Sequence, residues 1–554
     1  MNKKSSIYIL TGLLALSSIT ACKKDFLERP PLNQLTEEAF WKSEEDVFKV
    51  VNGVYSQLPG DGTAFNDGAT DNAQVQNSWD SPSNPIAAGT IGSDTDAGWS
   101  FVGIRRANYF LENADRVKVI DPALLERYKA EVRFIRALDY FNLMSRFGDV
   151  PLFTKVLVLG EENLPRKPKK DVLKFVLSEL DTVAKILPKE YAGGKPNEKG
   201  RITKGAALAL TARVYLYDGQ FQKAAELAST VMGMGYRLFT TTEEEPKDKL
   251  DDYSKWVDFA DAADQEKFRK GLRSYERLFY QKHENNSEVI LDRQVVRQKG
   301  GNDINKLLGP NNLKGWSSIT PTQSMVDAYE SYQTGEAVVP VDPAQRATWY
   351  ENVKDSTDYV KEYRNRDPRF YASIQFHGAV WNSIDEEPYI YDSRANDNNN
   401  SKTGYNFRKL VDPTVYIEKI ESHANVIIIR YAEILLTYAE AKNEVSGPDG
   451  TIYDALDQIR TRAGMPVVNR TKYATKDALR EFIRAERRVE LALEGHRYMD
   501  IRRWKIAPNV MKTIYDVRNG QVQQRIWTDK LYLMPIPQVE MDKSKGVLVQ
   551  TLGY

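Results

Sequence analysis

The stretch Leu479-Arg-Glu-Phe-Ile-Arg-Ala-Glu-Arg-Arg-Val-Glu-Leu-Ala-Leu-Glu-Gly-His-Arg-Tyr-Met-Asp-Ile-Arg-Arg-Trp504 carries the strongest structural signal in the chain. At about 100° per residue, Phe482, Ala485, Val489, Ala492 and Leu493 fall on one face, and Arg480, Arg484 and Arg488 stack on another. The stretch therefore predicts an amphipathic helix. Gly495 stands where a left-handed residue would stop it, and Tyr498, Ile501 and Trp504 then recur at three-residue steps, which predicts a second short helix docked beside the first. So many arginines and glutamates around so few exposed positions read as a structural ion-pair network, not as a catalytic cluster.

On either side of this stretch the same periodicity returns, over residues 36–51, 104–117, 124–147, 171–187, 206–232, 430–444 and 452–463. Gly148-Asp149-Val150-Pro151 ends the third of these, and Asp218-Gly219 splits residues 206–232 into two helices at tetratricopeptide-like spacing. Two regions lack that regularity. Residues 60–99 are rich in Gly, Asp, Asn, Ser and Pro around Trp79 and Trp99, and residues 239–424 carry Trp256, Trp316, Trp349 and Trp381 with an Asn run at 398–400. The chain reads as mainly α: a tetratricopeptide-like helical-repeat scaffold at about 36–59, 100–238 and 425–505, with a large, irregular, loop-rich lobe inserted between its N- and C-terminal helical pairs. Residues 506–554, with Pro535 and Pro537, read as an extended segment packed across the helices.

The 554 residues carry 77 Lys plus Arg against 77 Asp plus Glu, so neither polyanion binding nor an acidic tail is indicated. No nucleic-acid partner is expected. Thirty Tyr and nine Trp exceed what a core alone usually needs, and surplus rings suit stacking surfaces. The single cysteine, Cys22, rules out an intrachain disulfide and a cysteine-rich metal site. Residues 1–21 have a basic start and a short apolar run, the layout of a secretory leader, and end in Ser17-Ser18-Ile19-Thr20-Ala21-Cys22, which resembles a bacterial lipobox. Cleavage there makes Cys22 a lipidated N-terminus, and residues 22–35, with Pro30 and Pro31, a tether to the membrane.

Motifs for catalysis are missing. His283, His377, His423 and His496 have no metal-ligand spacing, residues 194–200 lack the ending of a phosphate-binding loop, and no Gly-x-Ser-x-Gly elbow is present. A carboxylate pair for glycoside hydrolysis has no sequence spacing to find. The expectation is a protein that is not an enzyme, with no cofactor and no metal.

Taken in order, the lipobox at Cys22, residues 130–137 with 146–152, residues 200–207, Asp367-Pro368-Arg369-Phe370, Arg430-Tyr431-Ala432-Glu433, residues 486–497 and the terminal Pro-Ile-Pro and Gly553-Tyr554 resemble the SusD/RagB family of outer-membrane nutrient-binding lipoproteins. The resemblance implies a lipid-anchored outer-membrane protein facing the cell exterior. Its expected partner is a SusC-like TonB-dependent transporter, which it serves by capturing glycan or, in the alternative, peptide. It further implies that Glu486, Arg487, Arg488, Glu490 and Gly495 are scaffold residues, that Trp99 is a ligand-stacking position, and that the loop of Asp71 contributes to the site. Trp79, Trp316 and Trp381 join these as candidates through composition and loop placement, each of them as readily a core residue.

Overall fold

Several of the predicted scaffold helices are delimited by sequence signals at their ends. The computed structural model describes residues 40–191, 198–296, 301–352, 357–385, 387–394, 398–419 and 421–554, so the leader, Cys22, the tether and the expected helix start at Thr36 lie outside the described residues. Helix α1 (Glu44–Tyr55) opens with a capping box in which the Asp46 amide donates to Ser43 Oγ and the Ser43 amide donates to the Asp46 carboxylate. After α2 (Val102–Asn113), α3 (Pro122–Phe147) starts behind Asp121, whose side chain accepts from the Leu124 amide, and ends at Gly148 with φ +74°. Helix α4 (Lys169–Ile186) stops just before Pro188, as expected. Helices α5 (Lys204–Tyr217) and α6 (Phe221–Met232) break at the predicted Asp218-Gly219, where Gly219 takes φ +76°.

Chain order then jumps. After the lobe, with its own helix α7 (Ala262–Glu276), come α8 (Tyr431–Ser446), α9 (Gly450–Arg462), α10 (Lys476–Glu490) and α11 (Arg497–Arg503). Helix α3 packs on α4, α4 on α5, α5 on α6, α6 on α8, and α8 on both α9 and α10, so one stack of helices is built from both ends of the sequence. A short strand β1 (Ala73–Val75) lies before α2, and it pairs with β3 (Ile319–Pro321) of the lobe. An antiparallel ribbon, strand β2 (Val289–Arg293) paired with β4 (Val426–Arg430), ties the segment after α7 to the start of α8. The scaffold core is largely aliphatic, with Val132, Ile135, Leu180, Leu210, Leu435, Leu456 and Ile483 fully buried.

The lobe is irregular in backbone but not in packing, which corrects the expectation that surplus rings serve surfaces. Trp256, Tyr363, Phe370, Phe376, Trp381 and Tyr405 form a buried core in the lobe. Tyr363 stacks on Phe376 with centroids 4.4 Å apart, and its hydroxyl lies 2.9 Å from that of Tyr405. Loops that cannot interdigitate at helical spacing need large, rigid side chains to fill the gaps, and Tyr363 and Tyr405 satisfy each other's hydroxyls in doing so. The C-terminal segment is likewise more structured than expected. It contains the hairpin β5 (Ile514–Tyr515) and β6 (Gln521–Gln523) and short helices at Ala507–Val510 and Gln538–Lys543, while Leu531, Met534 and Ile536 bury against the scaffold as predicted.

Helix α10 joins the two regions. Its buried face carries Leu479, Phe482, Ile483 and Val489, whereas Ala485, expected on that face, is exposed. Glu490 accepts from Arg430 at 2.7 Å, from the lobe's Arg369 at 2.9 Å and from Arg462. Glu486 accepts from Arg369 and, at 3.0 Å, from Arg460. Arg487 holds Asp500 of α11 at 2.7 Å. Burial would raise the Glu490 carboxyl, but Arg462, Arg430 and Arg369 outweigh it and hold it well below the usual range. Gly495 does not stop α10. The helix ends at Glu490, and both Leu493 (φ +64°) and Gly495 (φ +81°) turn the chain toward α11. A Cβ at position 495 would lie 2.6 Å from Thr63 Cγ2, so this glycine is demanded by close packing as well as by its dihedral.

Candidate functional site

Two of the four candidate tryptophans are exposed, and the fold brings both to the same end of one strand ladder. Strands β1 and β3 run antiparallel with Val75 opposite Ile319, and the Gln76 amide continues the ladder to the Ser318 carbonyl at 2.8 Å. Trp79 follows β1 by four residues and Trp316 precedes β3 by three, so both emerge at the same end of the ladder. Trp79 is 81% exposed and Trp316 45%.

The frame under Trp316 is firm. Its amide donates to the Lys306 carbonyl, and the next two amides donate to Gly309 and Leu307 at 3.1 and 2.8 Å. Gly315 lets this loop close, since a Cβ there would lie 2.1 Å from the Gly309 carbonyl oxygen. Polar groups rim the ledge. Asn77 donates to Asp80 at 3.3 Å, Lys306 reaches within 5.8 Å of the Trp316 ring, and Gln76 donates to the Asn400 carbonyl at 3.0 Å while Lys402 donates to the Gln76 carbonyl. Flat rings surrounded by amide and ammonium groups suit a ligand with apolar faces and hydroxyl edges.

The other candidates are structural. Trp381 is fully buried in the lobe core with the Arg408 guanidinium 4.7 Å from its ring. Trp99 is only 7% exposed, packed edge-on against Phe147 at 4.9 Å and Phe101 at 5.4 Å, because the loop before α2 folds back onto the end of α3. Asp71 is buried between two guanidiniums: Arg497 donates to both of its oxygens at 2.8 Å, and Arg488 reaches it at 3.0 Å. Burial opposes the charge on Asp71, yet Arg488 and Arg497 bring its carboxyl down to about 2. Neither buried tryptophan presents a face, and Asp71 has no free oxygen edge. What sequence reasoning missed was the third loop, with Asn400 and Lys402, which lies more than 300 residues from Gln76 and carries only the Asn run as a signal.

The architecture defines a class: a helical-stack scaffold with a loop-rich lobe inserted between its helices. The SusD family profile matches residues 276–554, and a second profile, described as starch-binding associating with outer membrane, matches residues 25–216. The chain belongs to the SusD/RagB family. A SusD-like protein of Formosa agariphila is 25% identical over 99% of both chains. The crystal structure of a SusD-like protein from Bacteroides fragilis superposes with a TM-score of 0.78 at 29% identity, covering 95% of this chain and 100% of that one. A second Bacteroides fragilis structure, of a SusD-like carbohydrate binding protein, gives 0.74 at 25% identity over 92% of this chain and 99% of its own.

Proposed function

We propose that this protein captures glycans at the cell surface without cleaving them, stacking sugar rings on Trp79 and Trp316, and hands them to a SusC-like TonB-dependent outer-membrane transporter. The observation that carries the reading is the placement of two exposed tryptophans at one end of the β1–β3 ladder on a hydrogen-bonded frame. The backbone that carries Trp316 is already held, so less freedom is lost there on binding. Each stack contributes on the order of 1 kcal/mol, so affinity per sugar is modest and grows with the number of rings engaged. Two family relationships support a glycan over a peptide: the starch-binding profile over residues 25–216, and the carbohydrate-binding relative from Bacteroides fragilis. In this reading Cys22 carries the lipid and residues 22–35 give the domain reach from the outer membrane.

Affinity electrophoresis through gels containing single polysaccharides tests the proposal. At least one polysaccharide should retard the wild-type chain and fail to retard Trp79→Ala and Trp316→Ala. Retardation by peptide matrices alone, or shortened glycan products after incubation, would contradict it.

A further inference from the structure

A cleft of about 380 Å³ opens within the scaffold beside the loop of residues 60–99, bordered by α2, α3, α5, strand β4 and the turn before α11, and it shares no residue with the tryptophan ledge. Its volume is that of a small-ligand site. Glycines clear its walls. Asp139 Oδ2 lies so close over Gly103 that a Cβ at that position would be 2.0 Å away, and Gly98 takes φ +99° against Arg146, with a Cβ there only 3.2 Å from its Nη1.

Asp139 is the anomalous group in this cleft. Among the described residues it makes no hydrogen bond and no ion pair, and burial is the sole influence on its charge. The other charges facing the cleft are committed elsewhere. Arg213 on α5 is held by Glu433 at 2.6 Å, Glu494 pairs with Arg430 at 2.6 Å and Lys409 at 2.7 Å, and Arg146 donates to the Ala97 carbonyl and to Asn66 Oδ1. Arg146 also stands seven residues along the helix from Asp139, a rise of about 10 Å, too far to bridge to it. His496 is kept neutral by burial and by Arg213 and Arg487 nearby. Burial raises the Asp139 carboxyl to about 7. The Asp139 carboxylate lines the cleft and takes no partner from its walls, and a cationic ligand group is the partner that its surroundings omit. Between Asp139 and Arg146 along α3 lies Asn142, which lines the cleft together with Ser100, so hydroxyl-bonding groups accompany the carboxylate.

We propose that this cleft is a second ligand site, distinct from the tryptophan ledge, for a small polyhydroxylated amine such as an amino sugar, with Asp139 accepting from the ammonium and Asn142 and Ser100 bonding its hydroxyls. The site rests on its own residues and does not require the glycan-capture reading of the ledge.

Titration calorimetry on the detergent-solubilised full-length chain, at a pH slightly above neutral, tests it with glucosamine, glucose and glycinamide as probes. Glucosamine should bind at least tenfold more tightly than glucose, which lacks the charge, and than glycinamide, which lacks the ring hydroxyls. Asp139→Asn should abolish that preference, and it should melt no lower than wild type, because it removes a charge that no protein group pairs. Trp79→Ala and Trp316→Ala should leave glucosamine binding unchanged. Equal binding of glucosamine and glucose, equal binding of glycinamide, full retention of affinity in Asp139→Asn, or no detectable glucosamine binding would each overturn the proposal. A wild-type chain that no polysaccharide retards but that still binds glucosamine would count against the ledge alone.

Discussion

The scaffold and the lobe solve the same packing problem with different materials. In the scaffold, aliphatic side chains at helical spacing bury themselves against neighbouring helices, and the caps at Ser43, Asp121 and Thr203 set the boundaries. In the lobe, short strands and turns offer no such spacing, and rings such as Trp256, Phe370 and Trp381 fill the space instead. Aromatic richness in a loop-rich segment thus measures core demand before it measures binding. Only rings that the fold leaves in solvent, Trp79 and Trp316 among the candidates, remain available for a ligand.

The largest effect is expected at the seam between scaffold and lobe. Glu490 sits among Arg430, Arg462 and the lobe's Arg369. Glu490→Ala leaves three buried guanidiniums short of a partner and should cost roughly 3–5 kcal/mol. Denaturant unfolding would show it as a lower midpoint, and a midpoint equal to wild type would mean that the two regions are not held together by this network.

Within the lobe, Trp381→Ala should also be severe, about 3 kcal/mol or slightly more, since it empties the space of a fully buried indole. Trp99→Ala should behave similarly in the scaffold core, lowering the melting temperature while the folded remainder keeps its ligand affinity. Unchanged melting with lost glycan binding in either variant would return that ring to the site.

A smaller effect separates the cleft from both cores. Because burial raises the Asp139 carboxyl to about 7, the folded chain binds that proton more tightly than the unfolded chain does. This residue's contribution to stability therefore declines as pH rises from the ordinary carboxylate range through about 7. Melting curves of Asp139→Asn should be flatter over that window than those of wild type, and superimposable pH profiles would contradict the assignment.

Most of the scaffold was legible because helical periodicity and its stop signals are local. Gly148, Pro188 and Asp218-Gly219 each ended a helix where the sequence placed an end. The ion pairing of Glu486, Arg487, Arg488 and Glu490 was legible too, since so many charges on an amphipathic helix must find partners. Helix α7 was not read, because its buried positions include Arg273, Ser274 and Glu276 and its apolar stripe is thin. The ledge was half legible. Composition marked Trp79 and Trp316 along with Trp99 and Trp381, but which rings face solvent depends on the β1–β3 register and on the lobe core, and those contacts join residues hundreds of positions apart. Asp71 misled for the same reason, since its partners Arg488 and Arg497 lie on the far side of the sequence.

If exposure, not aromatic identity, divides binding rings from structural ones, then melting and polysaccharide affinity must separate Trp316→Ala and Trp79→Ala from Trp381→Ala when both are measured on one preparation of each. The two ledge variants should melt within about 0.5 kcal/mol of wild type and bind about tenfold more weakly, near 1.4 kcal/mol, whereas Trp381→Ala should melt early and, where folded, bind as wild type does. Ledge variants that bind at full strength, or that unfold as readily as Trp381→Ala, would contradict that division.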